Sequence, residues 1–302
     1  MGAVKRRPAA AGSSRSGRPR KRPRAGAAGD AGNQVAQASD DEFTEWSYDR
    51  LWDPREVRQG WHSRNVRFWQ TQAADIRGAT GGGVSQGDLS FTRGVLQGLV
   101  RKRGGERFQC ALDCGAGVGR VSDAVLRRCC HHIDLFEFVR KHLDVARARL
   151  PARGKSGCTF GFYCSSAQKF VIAPGKYDLI WCQWLLMYLT DEDALDLLQR
   201  AREGLAPDGI LLLKENVSTA EKATYFDDAE GELWLEGVSS GAPVSCVRTP
   251  LHYEDLLDRA GLRVAHERRQ TDPSGRIMDM VLYELVPAEQ VAGTPPEHKV
   301  RA

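Results

Sequence analysis

No apolar run in this 302-residue sequence approaches the 18 or more residues that a membrane span needs, and no signal-peptide core is present. A myristoylation motif is also missing: Gly2 follows Met1, but Arg6 stands where Ser or Thr is required. No Cys-x-x-Cys pair occurs, and the eight cysteines have no framework spacing, which excludes a disulfide scaffold and points to free thiols in a reducing compartment. Cys129-Cys-His-His132 invites a metal reading. Adjacent residues in a helix-to-strand turn point in different directions and no second ligand pair is at hand, so no metal is expected. Acid is absent from residues 1 to 29, which carry nine Lys or Arg. The remaining residues hold 34 basic against 39 acidic side chains, a balance of −5 under an overall charge of +4. A nucleic-acid-binding fold needs basic groups on its folded face, so that class is not expected.

Residues 1–41 are rich in Ala, Gly, Arg, Pro and Ser and read as a disordered basic tail. Lys5-Arg-Arg7 and Arg18-Pro-Arg-Lys-Arg-Pro-Arg24 resemble a two-part nuclear address, so nucleus or cytoplasm is expected. An organelle transit peptide and a tail with no address stay open. Residues 42–105 read as a helical extension covering the ligand end. Its aromatics are Phe43, Trp46, Tyr48, Trp52, Trp61, Phe68 and Trp69, with helix breaks near Pro54 and Gly60, a flexible loop at Gly78–Gly83 and a helix at 91–101. Residues 288–302 read as a polar tail.

Between them, residues 106–287 alternate strand and helix. The expected strands are Gln109–Asp113, Ile133–Phe138, Thr159–Cys164, Tyr177–Gln183, Ile210–Glu215, Arg263–Glu267 and Met278–Leu285. Helices are expected near 120–128, 139–149, 191–205 and 251–260. That is an α/β chain with a doubly wound, Rossmann-like seven-stranded sheet whose last two strands form a hairpin.

The stretch that organises the rest is Cys110-Ala-Leu-Asp-Cys-Gly-Ala-Gly-Val-Gly-Arg120. An apolar run ends at Asp113, and Gly115, Gly117 and Gly119 lead into a helix. The pattern is Gly-x-Gly-x-Gly rather than the spacing of dinucleotide sites. Glu137 lies 22 positions after Gly115, at the end of the next strand, where an acid meets a ribose diol. A ribose-binding acid with no phosphate cradle suits S-adenosylmethionine. Ligands in open α/β sheets bind beyond the strands' carboxyl ends, where Ser166-Ala-Gln168, Gln183-Trp184 and Lys214-Glu-Asn216 also fall.

Leu112–Arg120, Asp178–Trp184, Tyr188-Leu-Thr-Asp191 and Lys214-Glu-Asn216 together resemble the α-N-terminal protein methyltransferases, class I enzymes dependent on S-adenosylmethionine. These methylate the free α-amine of chains that begin Xaa-Pro-Lys or Xaa-Pro-Arg after Met removal. The resemblance runs from about Arg64 to Pro287. It implies cofactor contacts from Gly115, Arg120, Glu137, Ala167, Gln168 and Gln183, although the family usually has Asp at the Glu137 position. It implies that Trp69, with Phe68, and Trp184 line the channel for the N-terminal peptide and that Asn216 holds the first residue's backbone. The family's His in the Gln-Trp segment is replaced by Tyr188, a poor base at neutral pH. Asp227 and Asp228 match its first acids, while a further family acid aligns with Pro243 after extra sequence from Ala229 to Val244. Asp227 or Asp228 is the expected base. A glutamate of the extra sequence (Glu230, Glu232 or Glu236) and an altered methylation pattern remain open. The partner expected is a protein N-terminus, the assembly a monomer. The alternative function is methylation of a small-molecule amine or hydroxyl by the same fold.

Overall fold

The computed structural model describes residues 55–80, 85–150, 157–218, 225–228, 244–271 and 279–288, with backbone alone for 55–59, 85, 225–228 and 244. The expected tails, and the extra sequence between Ala229 and Pro243, lie outside the described residues.

Seven strands form one sheet: β1 (Phe108–Cys114), β2 (Cys130–Glu137), β3 (Thr159–Cys164), β4 (Tyr177–Gln183), β5 (Leu205–Asn216), β8 (Leu262–Gln270) and β9 (Met280–Pro287). Their order is β3-β2-β1-β4-β5-β9-β8. Pairing is parallel from β3 to β5, and β9 runs antiparallel to both β5 and β8. The expected sheet and its terminal hairpin are therefore present. β4, at the centre, is buried along its whole length, as a parallel strand covered on both faces must be. The strand order reverses between β1 and β4, and that switch point opens the crevice in which α/β sheets bind ligands.

One face of the sheet is covered by α3 (Ser85–Lys102), whose Val95, Leu96 and Leu99 pack on Val121, Val125, Leu126, Ile133 and Leu135. The other carries α6 (Asp191–Gly204) and α7 (Pro250–Arg259), through Ala194, Leu197, Leu198, Tyr253, Leu256 and Leu257. Each fully buried Leu of this kind contributes about 1.5–3 kcal/mol. Thr190 and Thr249 cap these two helices, accepting from the backbone N–H groups of Asp193 and His252.

Several expectations are corrected. α1 (Arg55–Thr71) runs through Gly60 without a break; a glycine costs a helix interior about 1 kcal/mol, and the neighbouring Trp61 is fully buried. Pro54 lies outside the described residues. The expected loop at Gly78 begins as a short helix, α2 (Ile76–Ala79), with Asp75 accepting from the Gly78 N–H at 2.7 Å. After the glycine turn the chain makes a π-helical turn, Ser122–Leu126, before the one-turn α4 (Arg127–Cys129). α5 (Arg140–Arg149) follows β2. A second sheet of two antiparallel strands, β6 (Tyr225–Asp228) and β7 (Val244–Val247), was not expected. Arg248, immediately after it, is fully buried and ties this hairpin to the main body: its guanidinium donates to Asp191 and to the carbonyls of Leu186 and Leu189.

Candidate active site

At the carboxyl ends of β1, β2, β4 and β5, under α1, lies a cavity of about 720 Å³. The floor is the turn after β1, where Gly115, Gly117 and Gly119 all have positive φ, 63°, 56° and 71°. Residues with a side chain adopt that region at a cost, so the turn's path depends on glycine. Gly119 is also closely packed: a Cβ there would lie 3.0 Å from Leu150 Cδ1 and 3.1 Å from Ala146 Cβ.

Every residue expected at the cofactor site lines this cavity: Gly115, Arg120, Glu137, Ala167, Gln168 and Gln183. Glu137 ends β2 and its carboxylate bridges two backbone donors, Gly117 N–H at 2.9 Å and Val139 N–H at 2.8 Å. Burial pushes this carboxyl up, against those hydrogen bonds. Asp113, at the end of β1, accepts from the Ser122 hydroxyl at 2.6 Å and is pushed up to about 7 by burial.

Sequence reasoning missed the residue that organises the far wall. Asp88, on α3, is fully buried. It accepts from Arg120 Nη1 at 2.6 Å, from Gln183 Nε2 at 2.8 Å and from the Lys214 ammonium. Burial pushes its carboxyl up, but Lys214 and Arg120 outweigh that and hold it below the usual range. Lys214 and Glu215, read from the sequence as facing the ligand, instead turn inward. Lys214 is fully buried against Asp88, Thr92 and Gln270. Glu215 accepts from the N–H groups of Leu185 and Leu186 at 2.8 and 2.9 Å, fixing the loop after β4.

The residues expected at the substrate end line the same cavity: Trp69, Trp184, Tyr188 and Asn216. Trp184 follows β4 with a φ of 53° and is held there by its N–H on the Lys214 carbonyl at 3.1 Å. Its indole N–H donates to Asn216 Oδ1 at 3.2 Å, and its ring lies 5.4 Å from the Arg120 guanidinium. The Trp69 ring meets Tyr188 edge-on at 5.2 Å and Phe68 at 5.1 Å. His62, also missed, lines the cavity and stands 3.1 Å from Asp193; a hydrogen bond to that carboxylate raises its imidazole above the usual range. Asp227 and Asp228 lie on β6, opposite Ser245 and Val244, and their side chains are outside the described residues.

The cavity fits the cofactor that the resemblance implies. Gln183 Oε1 is buried with no partner among the described residues while its amide N–H is committed to Asp88, which leaves an acceptor for an ammonium group. Glu137 supplies a carboxylate for a diol, and among the described residues no cluster of Lys and Arg side chains for a pyrophosphate lines the space. The Cys129–His132 run does not gather as a donor group among the described residues. A different trio, Cys110, His132 and Asp134, has its donor atoms within 4.8 Å of one another near the opposite end of the strands. There Asp134 is already engaged by Lys176 and Tyr177.

Comparison with known proteins gives the family and the fold. Residues 57–286 match the family described as AdoMet-dependent proline di-methyltransferase. The Xenopus laevis N-terminal Xaa-Pro-Lys N-methyltransferase 1-A is 31% identical over 70% of this chain and 89% of its own length. The Mus musculus N-terminal Xaa-Pro-Lys N-methyltransferase 1 is 31% identical over 76% of this chain and 97% of its own. Among solved structures, a Leishmania major S-adenosylmethionine-dependent methyltransferase superposes with a TM-score of 0.64 at 28% identity, covering 78% of this chain and 90% of that one. A Haemonchus contortus phosphoethanolamine N-methyltransferase solved with S-adenosylhomocysteine shares the fold, with a TM-score of 0.51 at 18% identity over 79% of this chain and 50% of that one. The chain belongs to the AdoMet-dependent proline di-methyltransferase family.

Proposed function

We propose that this enzyme methylates the free α-amino group of proteins that begin Xaa-Pro-Lys or Xaa-Pro-Arg once Met is removed. The observation that carries this reading is continuity: the cofactor-type residues and the aromatic set Trp69, Trp184 and Tyr188 line one cavity, with Asn216 between them. An aromatic channel suits a proline ring.

In this reading Glu137 holds the ribose diol, Ala167 and Gln168 the adenine, and Gln183, Arg120 and the Gly115 turn the amino-acid end. Bound there, S-adenosylmethionine supplies a sulfonium methyl open to in-line attack. Asn216 has its carbonyl oxygen occupied by the Trp184 indole, so its amide N–H groups are turned to the substrate's first carbonyl. Trp184 and Trp69 exclude water and hold the dipeptide. An α-amine has a pKa near 8 and is mostly protonated at neutral pH, so the site must take a proton before attack. Tyr188 orients; Asp227 or Asp228, on β6, accepts. The balance of −5 outside the basic start also attracts the basic third residue of the substrate.

Mass spectrometry of a Ser-Pro-Lys peptide incubated with the protein and S-adenosylmethionine, beside its N-acetylated copy, tests the proposal. Methyl groups on the free α-amine alone support it. Modification of neither peptide moves the acceptor to a small-molecule amine or hydroxyl. The basic clusters at the start support a nuclear destination, which imaging of the chain with and without residues 1–41 tests.

A further inference from the structure

Four residues of α1 face the cavity: His62, Asn65, Val66 and Trp69. Their spacing of i, i+3, i+4 and i+7 is one stripe of a helix, so α1 lies along the cavity as a cover. The stripe is held at both ends. Towards the substrate end, Trp69 packs edge-on against Tyr188, and the carbonyl of Tyr188 accepts from Asn65 Nδ2 at 3.4 Å in mid-stripe and from Trp61 Nε1, one residue before His62, at 2.7 Å. Seven residues before Trp69, about 10 Å along the axis, His62 Nε2 meets Asp193 Oδ2 at 3.1 Å.

Asp193 is a fixed acceptor. It sits in the first turn of α6, where its N–H donates to Thr190 Oγ1 at 3.2 Å and its Oδ2 accepts from that hydroxyl at 3.0 Å. The same oxygen accepts from Gln168 Nε2 at 3.5 Å. One carboxylate thus joins the cover helix, the start of α6 and the loop after β3. With its NH2 end on Asp193, Gln168 leaves its amide carbonyl for an adenine amino group, a donor that matches it.

We propose that His62 is a positioning residue that retains the cofactor: it latches α1 to Asp193 and closes the adenine end of the cavity. The inference rests on the assignment of Gln168 to adenine made above. An exposed ion pair adds little to fold stability, and the His62 side chain is 49% exposed. Its effect belongs to ligand retention, because opening this end of α1 uncovers the bound molecule.

Calorimetric titration of the full chain with S-adenosylhomocysteine, which binds without turnover, reads the latch. His62→Ala raises Kd by about 2- to 5-fold, the scale of one surface ion pair. His62→Gln, which keeps an N–H for Asp193, recovers most of the affinity. The KM for S-adenosylmethionine rises with Kd, and kcat at saturating cofactor falls by less than Kd rises. An unchanged Kd in folded His62→Ala overturns the latch and leaves the cofactor assignment standing, whereas absence of binding to the wild-type chain overturns both. A loss of affinity that follows a loss of melting temperature and that Gln does not recover makes the contact structural and likewise overturns it.

Discussion

The carboxylate of Asp88, on α3, and the ammonium of Lys214, in β5, face each other with neither side chain reaching solvent. Arg120 and Gln183 converge on the same carboxylate. Removing one member of a buried charged set strands the others, at a cost of about 3–5 kcal/mol. Asp88→Ala therefore lowers stability by that order in urea melts and weakens cofactor binding through Arg120. Adding Lys214→Met to Asp88→Ala recovers part of the loss, because one stranded charge is gone. A drop below about 1 kcal/mol in the single variant would contradict this role.

The indole N–H of Trp184 on Asn216 Oδ1 fixes which end of the Asn216 amide meets the substrate. Asn216→Ala removes the substrate-facing donor and lowers kcat/KM for the peptide by about 100-fold, the scale of a small misplacement of reactants. Trp184→Phe keeps an aromatic wall and loses the N–H, for a smaller fall of about 10-fold. Steady-state kinetics on the Ser-Pro-Lys peptide checks both. Near-normal turnover in the pair would remove the substrate assignment, while calorimetry with S-adenosylhomocysteine should show the cofactor still bound to Asn216→Ala.

The sheet was legible because its strands are short apolar runs bounded by turn residues, and β4 reads as buried from Tyr177 to Gln183. The cofactor side of the site was legible for a related reason: Gly115, Glu137 and Gln183 sit at strand ends, and topology puts strand ends together. Asp88 was not. An acid in the first turn of a helix already has a local explanation in the helix dipole, and only the fold brings it to Lys214. His62 was hidden likewise, since its partner lies 131 residues away on α6. The β6–β7 sheet escaped because four-residue strands flanking a long polar insertion carry almost no periodicity.

Positive-φ glycines differ in what surrounds them, and substitution separates the two costs. Gly104 has a φ of 70° with nothing among the described residues within 4 Å of an added Cβ, so Gly104→Ala costs the backbone strain of about 1–2 kcal/mol. At Gly115 the same strain, at a φ of 63°, adds to a contact of 3.1 Å with Leu185 Cδ1. Gly115→Val therefore displaces the turn that floors the cavity and abolishes S-adenosylhomocysteine binding, whereas Gly104→Ala binds normally. Undiminished affinity in Gly115→Val would refute the placement.

Acid stability should be governed by Asp191. It accepts from Arg248 Nε at 2.8 Å and from His252 Nε2 at 2.7 Å. Burial pushes its carboxyl up, but His252 and Arg248 outweigh that and hold it down at about 2. An unfolded Asp titrates near 3.9. The folded value is the lower one, so the unfolded chain binds the proton first as pH falls. The contribution of about 2–3 kcal/mol is complete above about pH 4 and is lost as pH falls through about 2. Asp113 and Glu215 act in another window: burial pushes both up to about 7, so their effect is a loss of stability as pH rises from about 4 to 7. The two windows do not overlap; Asp88, Asp134 and Asp193, also held below the usual range by their partners, share the acid window, so the share of Asp191 is read from the difference in slope between wild type and Asp191→Asn. Asp191→Asn should lower stability at pH 7, where Arg248 loses its counter-charge, and flatten that acid slope in urea melts taken at pH 4, 3 and 2. A slope as steep in Asp191→Asn as in the wild type would mean that other carboxylates carry the acid transition.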